Sequence, residues 1–385
     1  MQTFLKNAEI AEAVNWRHHL HRNPELGFEE TETSAFIAAR LAEWGYAVTT
    51  GYGKTGVVGS LKRGMSSKAI GIRADIDALP IMEKSGVEYA SRAAGKMHAC
   101  GHDGHVAMAL AAAKSLSSQA FDGTVHFIFQ PAEENDGGGQ AMVKDGLFRD
   151  FVMDGVYGMH NWPALDLGTC VARDGEMMAA FATFEIKVTG RGAHGAMPHE
   201  GADPIVAASQ IVSALQTIAS RNVSPLQSAV VSATQLHGGD AWNVIPEEVV
   251  IKGTTRWFDE RVGVKIETRL SAISNAIASA FDCMAEIDYL RRYPATTNDP
   301  ICAGIVRNLV QQVPGVKVVD ADPSMAAEDF SFMLQQKRGC YFWLGAKKSG
   351  SNPGLHSPYF DFNDDVLPLG ANMWIALVQD QLKPA

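Results

Sequence analysis

The sequence predicts an α/β fold in which a mostly parallel sheet carries a smaller α+β domain as an insert. Three observations lead there. Helix-like and strand-like segments alternate through the first 180 residues and again after 292, the pattern that builds parallel sheets. Between them, 181–291 runs strand, helix, strand, strand, helix, strand, the order of the ferredoxin-like unit. The length of 385 residues, with 46% hydrophobic and 20% charged positions, suits two or three domains with a substantial core and excludes disorder. The expected organisation is a first part of the large domain at 1–180, the insert at 181–291, and the rest of the large domain at 292–385.

Taken in order, 8–22 has helical spacing, and 31–44 is a second helix that follows an acidic, threonine-rich turn and stops at Gly45. Apolar runs at 46–49, 56–61 and 69–74 read as strands, and the alanine-rich 106–116 as a helix. Residues 124–130 and 156–160 are nearly continuous in strand-forming residues, as strands covered on both faces are. In the insert, strands at 182–190, 228–236, 248–258 and 283–289 alternate with helices at 204–220 and 260–281. A helix at 300–312, a strand at 316–319, a helix at 328–336, a strand at 340–344 and a closing helix at 364–382 complete the chain.

A net charge of −10 argues against nucleic-acid binding. No apolar run is long enough to span a bilayer, and MQTFLKNAEI has no secretory-signal pattern. The cysteines at 100, 170, 283, 302 and 340 are odd in number and scattered. They predict small core residues rather than a disulfide framework, and a cytoplasmic chain.

The chemistry gathers in four short motifs. Cys100 and His102 lie in HACGHDGH (98–105), Glu133 and Glu134 in QPAEE (130–134), His160 in GMHN (158–161) and His356 in LHSPYF (355–360). One thiol, three imidazoles and a carboxylate pair exceed what one zinc-like ion takes. They suit two ions sharing a bridging ligand, with one glutamate left as a base, an arrangement that activates water. His160 ends one apolar strand and the glutamates follow another, at the strand ends where open α/β sheets place ligands. Gly101 and Gly104 are expected to fold the loop before the 106–116 helix around an ion, with Asp103 orienting a ligand imidazole. Adjacent glutamates point apart, so one can bind metal while the other faces water. His18, His19 and His21 read as a solvated helix face, and His126 as a packed core residue.

In the insert, GRGAHGAMPH (190–199) places His194 in a tight, glycine-flanked loop where it could reach a substrate oxygen. Asn243 and Arg256 lie on or beside paired strands, and an arginine fork with an amide suits a carboxylate.

At these residues the chain resembles the amidohydrolase branch of the dinuclear metallopeptidases, the group of hippurate hydrolase, N-acyl-amino-acid amidohydrolases and indole-acetyl-amino-acid hydrolases. The resemblance runs nearly end to end, through RHHLHRNPELGF (17–28), RADIDALP (73–80), the metal motifs, 190–199 and AEDF (327–330). It implies Cys100 as bridging ligand, His102, Glu134, His160 and His356 as the other ligands, and Glu133 as general base. In the wider superfamily a His-x-Asp motif supplies a ligand. Here Arg73-Ala-Asp75 stands in its place, and His102 substitutes. The insert resembles a lid and dimerisation domain. Its His194 is implied to polarise the scissile carbonyl, within one subunit or across a homodimer or larger homo-oligomer, and Asn243 and Arg256 to anchor the substrate carboxylate.

The expected activity is hydrolysis of an N-acyl amino acid with two divalent ions, zinc, manganese, cobalt or nickel. The alternatives are a dipeptidase or carboxypeptidase on the same scaffold, a conjugate-binding protein without turnover, and a hydrolase using Cys100 as nucleophile.

Overall fold

A computed structural model describes residues 4–134 and 136–384. The chain divides into two compact units, one of Met1–Met177, Thr296–Asp322 and Asp329–Ala385, the other of Met178–Ala295 and Pro323–Glu328. The first opens with α1 (Asn7–Arg22), α2 (Thr31–Glu43), β1 (Ala47–Tyr52), β2 (Gly56–Arg63), β3 (Ala69–Asp75), α3 (His102–Leu116), β4 (Gly123–Gln130), α4 (Gly138–Asp145), α5 (Leu147–Asp150), β5 (Gly155–Trp162), β6 (Thr169–Val171) and β7 (Gly175–Met178). Next come β8 (Ala180–Thr189), β9 (Ala193–His194), α6 (Pro204–Thr217), β10 (Ala229–His237), β11 (Val244–Ile245), β12 (Glu248–Trp257), α7 (Glu260–Ala280) and β13 (Met284–Tyr293). The chain then returns to the first unit with β14 (Thr296–Asn298), α8 (Pro300–Val310), β15 (Lys317–Val318), α9 (Ser331–Leu334), β16 (Gly339–Gly345) and α10 (Val366–Gln381).

The first unit is built on an eight-stranded sheet in the order β1-β2-β4-β3-β5-β16-β6-β15. Its centre, β4-β3-β5-β16, is parallel. β1-β2-β4 and the β16-β6 pair are antiparallel. β3 and β16 are buried at every position. This is why neither sequence alternates: 69–72 of β3 and all of β16 are apolar or glycine. α3 is buried along almost its whole length, and its alanines let α1 and α10 pack closely against it.

The second unit is built on a four-stranded antiparallel sheet, β10-β12-β8-β13, and β9 and β11 form a short antiparallel pair of their own. Numbered along the chain, the four strands of the sheet lie in the order two, three, one, four, with α6 and α7 supplying the apolar layer beside them, the ferredoxin-like arrangement. Aspartates cap its helices: Asp203 accepts from the Ile205 and Val206 amides before Pro204, and Asp259 from Arg261.

Four elements depart from expectation. α3 begins at His102, not at 106, because Gly101 takes a left-handed φ of 91° and starts the helix there. Within 328–336 the α-helix spans only Ser331–Leu334. α4 and α5 went unforeseen because three glycines open the segment; at Gly138 a Cβ would stand 1.8 Å from the Pro131 carbonyl oxygen, so close packing demands glycine there.

Candidate metal centre

β3, β4 and β5 lie near one another in the sheet, and each carries polar residues at or just past its carboxyl end. These are Asp75 and Asp77 from β3, Glu133 and Glu134 from β4, and His160 from β5. Cys100 and His102 arrive at the start of α3. His356 comes from a turn whose backbone N–H donates to the Ala99 carbonyl at 2.8 Å.

These side chains converge. Cys100 Sγ lies 3.3 Å from His160 Nε2, and His356 Nε2 lies 3.1 Å from Glu134 Oε1. Cys100, His102 and His160 form one group, and Cys100, Glu134 and His356 another, with ligand atoms within 4.8 Å of one another in each. Cys100 is common to both. Glu133 forms a third such group with His102 and Glu134.

The donor set fits divalent ions. His102 Nδ1 donates to the Asp77 main-chain and carboxylate oxygens at 2.9 and 3.2 Å. His102 Nε2 is then left buried with no hydrogen-bond partner. His160 Nδ1 donates to the Asn161 carbonyl at 2.7 Å, so both rings are held by one nitrogen and offer the other. The other Asp77 oxygen accepts the Glu134 amide at 2.9 Å. One carboxylate thereby orients two candidate ligands.

Electrostatics agree. Burial and the carboxylates of Glu134 and Glu133 push the Cys100 thiol well up. Burial opposes charge on His102, but Asp75 and Asp77 outweigh it and lift its pKa to about 10. Burial and the neighbouring His105 push His160 well down. A buried excess of negative charge is what a bound dication relieves, and a metal favours the thiolate over the thiol.

Beneath the cluster runs a buried polar chain in which the sequence makes His105 and Asp329 candidates for supporting roles but does not assign the partners of Arg73 and Asp75. Arg73 donates to Gln130 at 2.8 Å, to Asp75 at 2.6 Å and to Asp329 at 3.1 Å. Asp75 accepts from His105 Nδ1 at 2.6 Å, and His105 Nε2 meets Asn161 Oδ1 at 2.7 Å. Asn161 adjoins His160, so the chain runs from the Arg73 position to a candidate ligand. The legible signal was an arginine and two aspartates at the end of an otherwise apolar strand.

Two residues of the site have left-handed backbone, Ala132 with φ 50° and His356 with φ 63°. Such conformations cost roughly 1–3 kcal/mol and persist where surrounding structure holds them. Ala132 is held by the buried Glu30 carboxylate, which accepts its N–H at 2.9 Å and so aims the two glutamates that follow.

Several expectations need correction. Asp103 does not orient a ligand imidazole; it pairs with Arg17 at 3.4 Å and His21 at 2.8 Å. Of the three α1 histidines only His19 is exposed, as expected; His21 is fully buried with Arg17, and His18 reaches Asp364 at 2.9 Å. Gly104 lies inside α3 rather than in an ion-wrapping loop. His126 is buried, as expected, with Ser60 Oγ at 2.7 Å.

His194, Asn243 and Arg256 belong to the second unit. β9 pairs with β11 through His194 and Val244, and the Asn243 carbonyl accepts the Gly195 N–H at 2.7 Å. His194 is exposed, and its Nδ1 accepts the Ala196 N–H at 3.0 Å. Arg256 of β12 lies 4.5 Å over the Phe181 ring, and burial lowers its guanidinium pKa.

Residues 71–380 match the model of peptidase family M20/M25/M40. The chain is 42% identical over 369 residues to a hippurate hydrolase of Campylobacter jejuni, spanning 95% of this chain and 96% of that protein. It is 41% identical over 356 residues to an N-acetyl-L-cysteine deacetylase of Bacillus subtilis, spanning 92% and 84%. Its structure is similar to that of a dinuclear metal-binding peptidase of the M20 family from Bacillus subtilis, with a TM-score of 0.86 and 32% identity over 99% of this chain and 100% of that one. With a family model matched over most of its length and relatives similar nearly end to end, this chain belongs to peptidase family M20/M25/M40.

Proposed function

We propose that this protein is a metal-dependent amidohydrolase that cleaves the amide bond of N-acyl amino acids, releasing a carboxylic acid and a free amino acid. The observation that carries the reading is Glu133 standing in one group with the candidate ligands His102 and Glu134, in a chain similar to a hippurate hydrolase and an N-acetyl-L-cysteine deacetylase. Cys100, His102, Glu134, His160 and His356 would hold two divalent ions, zinc, manganese, cobalt or nickel, with Cys100 shared between them. Bound there, the ions supply Lewis-acid polarisation of the carbonyl and a lowered pKa for the attacking water. Glu133 takes the proton of that water and returns it to the leaving amine nitrogen, so one carboxylate serves as base and then acid. His194 donates to the developing oxyanion, from the same chain or a second copy in a homodimer or larger homo-oligomer. Arg256 and Asn243 hold the substrate carboxylate and fix the reacting geometry. All five cysteines are free and buried, which supports a cytoplasmic location.

Release of free amino acid from a panel of N-acyl amino acids, including benzoyl-glycine, tests this reading. Release should cease on chelation and return with one divalent ion. No release with any of the four metals overturns the reading, and chelator-resistant release would point to Cys100 as nucleophile.

A further inference from the structure

Trp162 lies two residues beyond His160 on the same face of β5. Its ring centroid is 6.1 Å from that of His160, with the planes at 75°. It stacks flat on Trp343 of β16, 4.0 Å away at 15°. Trp343 is the register partner of His160 and is 2% exposed, so it forms a fixed backing. Trp162 alone among the residues of β5 is not fully buried. Its backbone is pinned, with the Ala346 N–H donating to its carbonyl at 3.1 Å and Asn352 Nδ2 to that of Pro163 at 2.7 Å. A preordered indole at the rim of the cluster loses little freedom on meeting a ligand.

We infer that Trp162, backed by Trp343, is the wall that receives the acyl group of the substrate and favours aromatic over acetyl amides. This rests on the amide-hydrolase reading above. Ligand-to-metal bonds are about 2 Å long, so a carbonyl polarised at the cluster lies within a few ångströms of the His160 ring. A ring bonded to that carbonyl directly, or through one methylene, extends further from the cluster towards Trp162, 6.1 Å from the His160 ring, than an acetyl methyl does. The other half of the substrate carries a carboxylate, which the reading assigns to Arg256 and Asn243. An uncharged indole suits the acyl half. Offset or edge-to-face aromatic pairs with centroids ~4.5–7 Å apart add roughly two- to tenfold beyond burial of area.

The test measures kcat/KM for acetyl-glycine, benzoyl-glycine and indole-acetyl-glycine with the metal-loaded wild type, W162A and W162F, and inhibition by benzoate and acetate. In W162A the ratio of benzoyl to acetyl kcat/KM should fall roughly tenfold, chiefly through KM, and benzoate should weaken as an inhibitor by a similar factor. W162F, which keeps a ring on Trp343, should retain most of the ratio. An unchanged ratio in W162A, with benzoate inhibition intact, overturns the inference while leaving the amidohydrolase reading in place. Wild type that releases glycine from none of the three overturns both.

Discussion

The division of work proposed for the adjacent glutamates rests on their different surroundings. The Glu134 amide is tied to Asp77 and its carboxylate meets His356, while Glu133 is buried beside His102 and Glu134. Glu133→Gln should keep metal content and lose turnover by roughly 10²–10⁴-fold. Cys100→Ala and Glu134→Ala should lose metal as well. Metal analysis of purified variants alongside turnover checks this, and a Glu133→Gln protein with normal turnover would refute the base assignment. His21 is a second residue with a readable consequence. Burial works against its charged form, but Asp103 and Glu83 outweigh burial and lift its pKa to about 9. Because that value lies above the unfolded one of about 6.5, the pair's stabilisation is complete below about pH 6.5 and is lost as pH rises through 9. His21→Gln should therefore cost about 2–3 kcal/mol at pH 6 and much less at pH 9.5. Denaturant unfolding at both values measures it, and a cost that grows with pH contradicts the assignment. None of this was legible from 17–21. Spacing places Arg17 and His21 on one face of α1 but does not say that the face meets Asp103.

At the scale of elements, α3 shows local and tertiary demands in conflict. A glycine inside a helix costs about 1 kcal/mol relative to alanine, so Gly104→Ala should stabilise on propensity alone. In the fold, a Cβ at Gly104 would stand 2.3 Å from Phe362 Cε2. Overpacking of that kind costs about 1–3 kcal/mol, so Gly104→Ala should lower the melting temperature, and a rise would show that Phe362 gives way freely. The same element shows why boundaries are hard to read. HDGH resembles a loop, yet it forms the first turn of α3 because Gly101 reverses the chain and Asp77 holds His102. Longer buried strands were easier, because covering both faces of β3, β4, β5 and β16 leaves a continuous apolar signature.

For the molecule as a whole, metal and stability are linked. Ions bound only by the folded first unit add roughly RT ln(1 + [L]/Kd), about 2.7 kcal/mol for each site at a hundredfold excess over Kd. Chelation of both ions should therefore lower the melting temperature by roughly 10–20 °C, at ~2–4 °C per kcal/mol for a domain of this size, and one divalent ion species should restore it. Loss of metal without any thermal shift would mean that the cluster does not hold its ions in the folded state alone.

Periodicity and local chemistry were enough to derive the α/β class, the ferredoxin-like element order and the motifs that bear candidate ligands. Those properties are written in residues close together along the chain. The polar framework beneath the motifs was not derivable in that way. Asp77 on His102 and Glu134, His105 between Asp75 and Asn161, and Arg17 with His21 on Asp103 join residues up to 86 positions apart. The parallel pairing of β3, β4 and β5, with α3 packed on β3 and α1 on α3, brings them within hydrogen-bonding distance. A buried charge declares its partner through that proximity and not through sequence spacing.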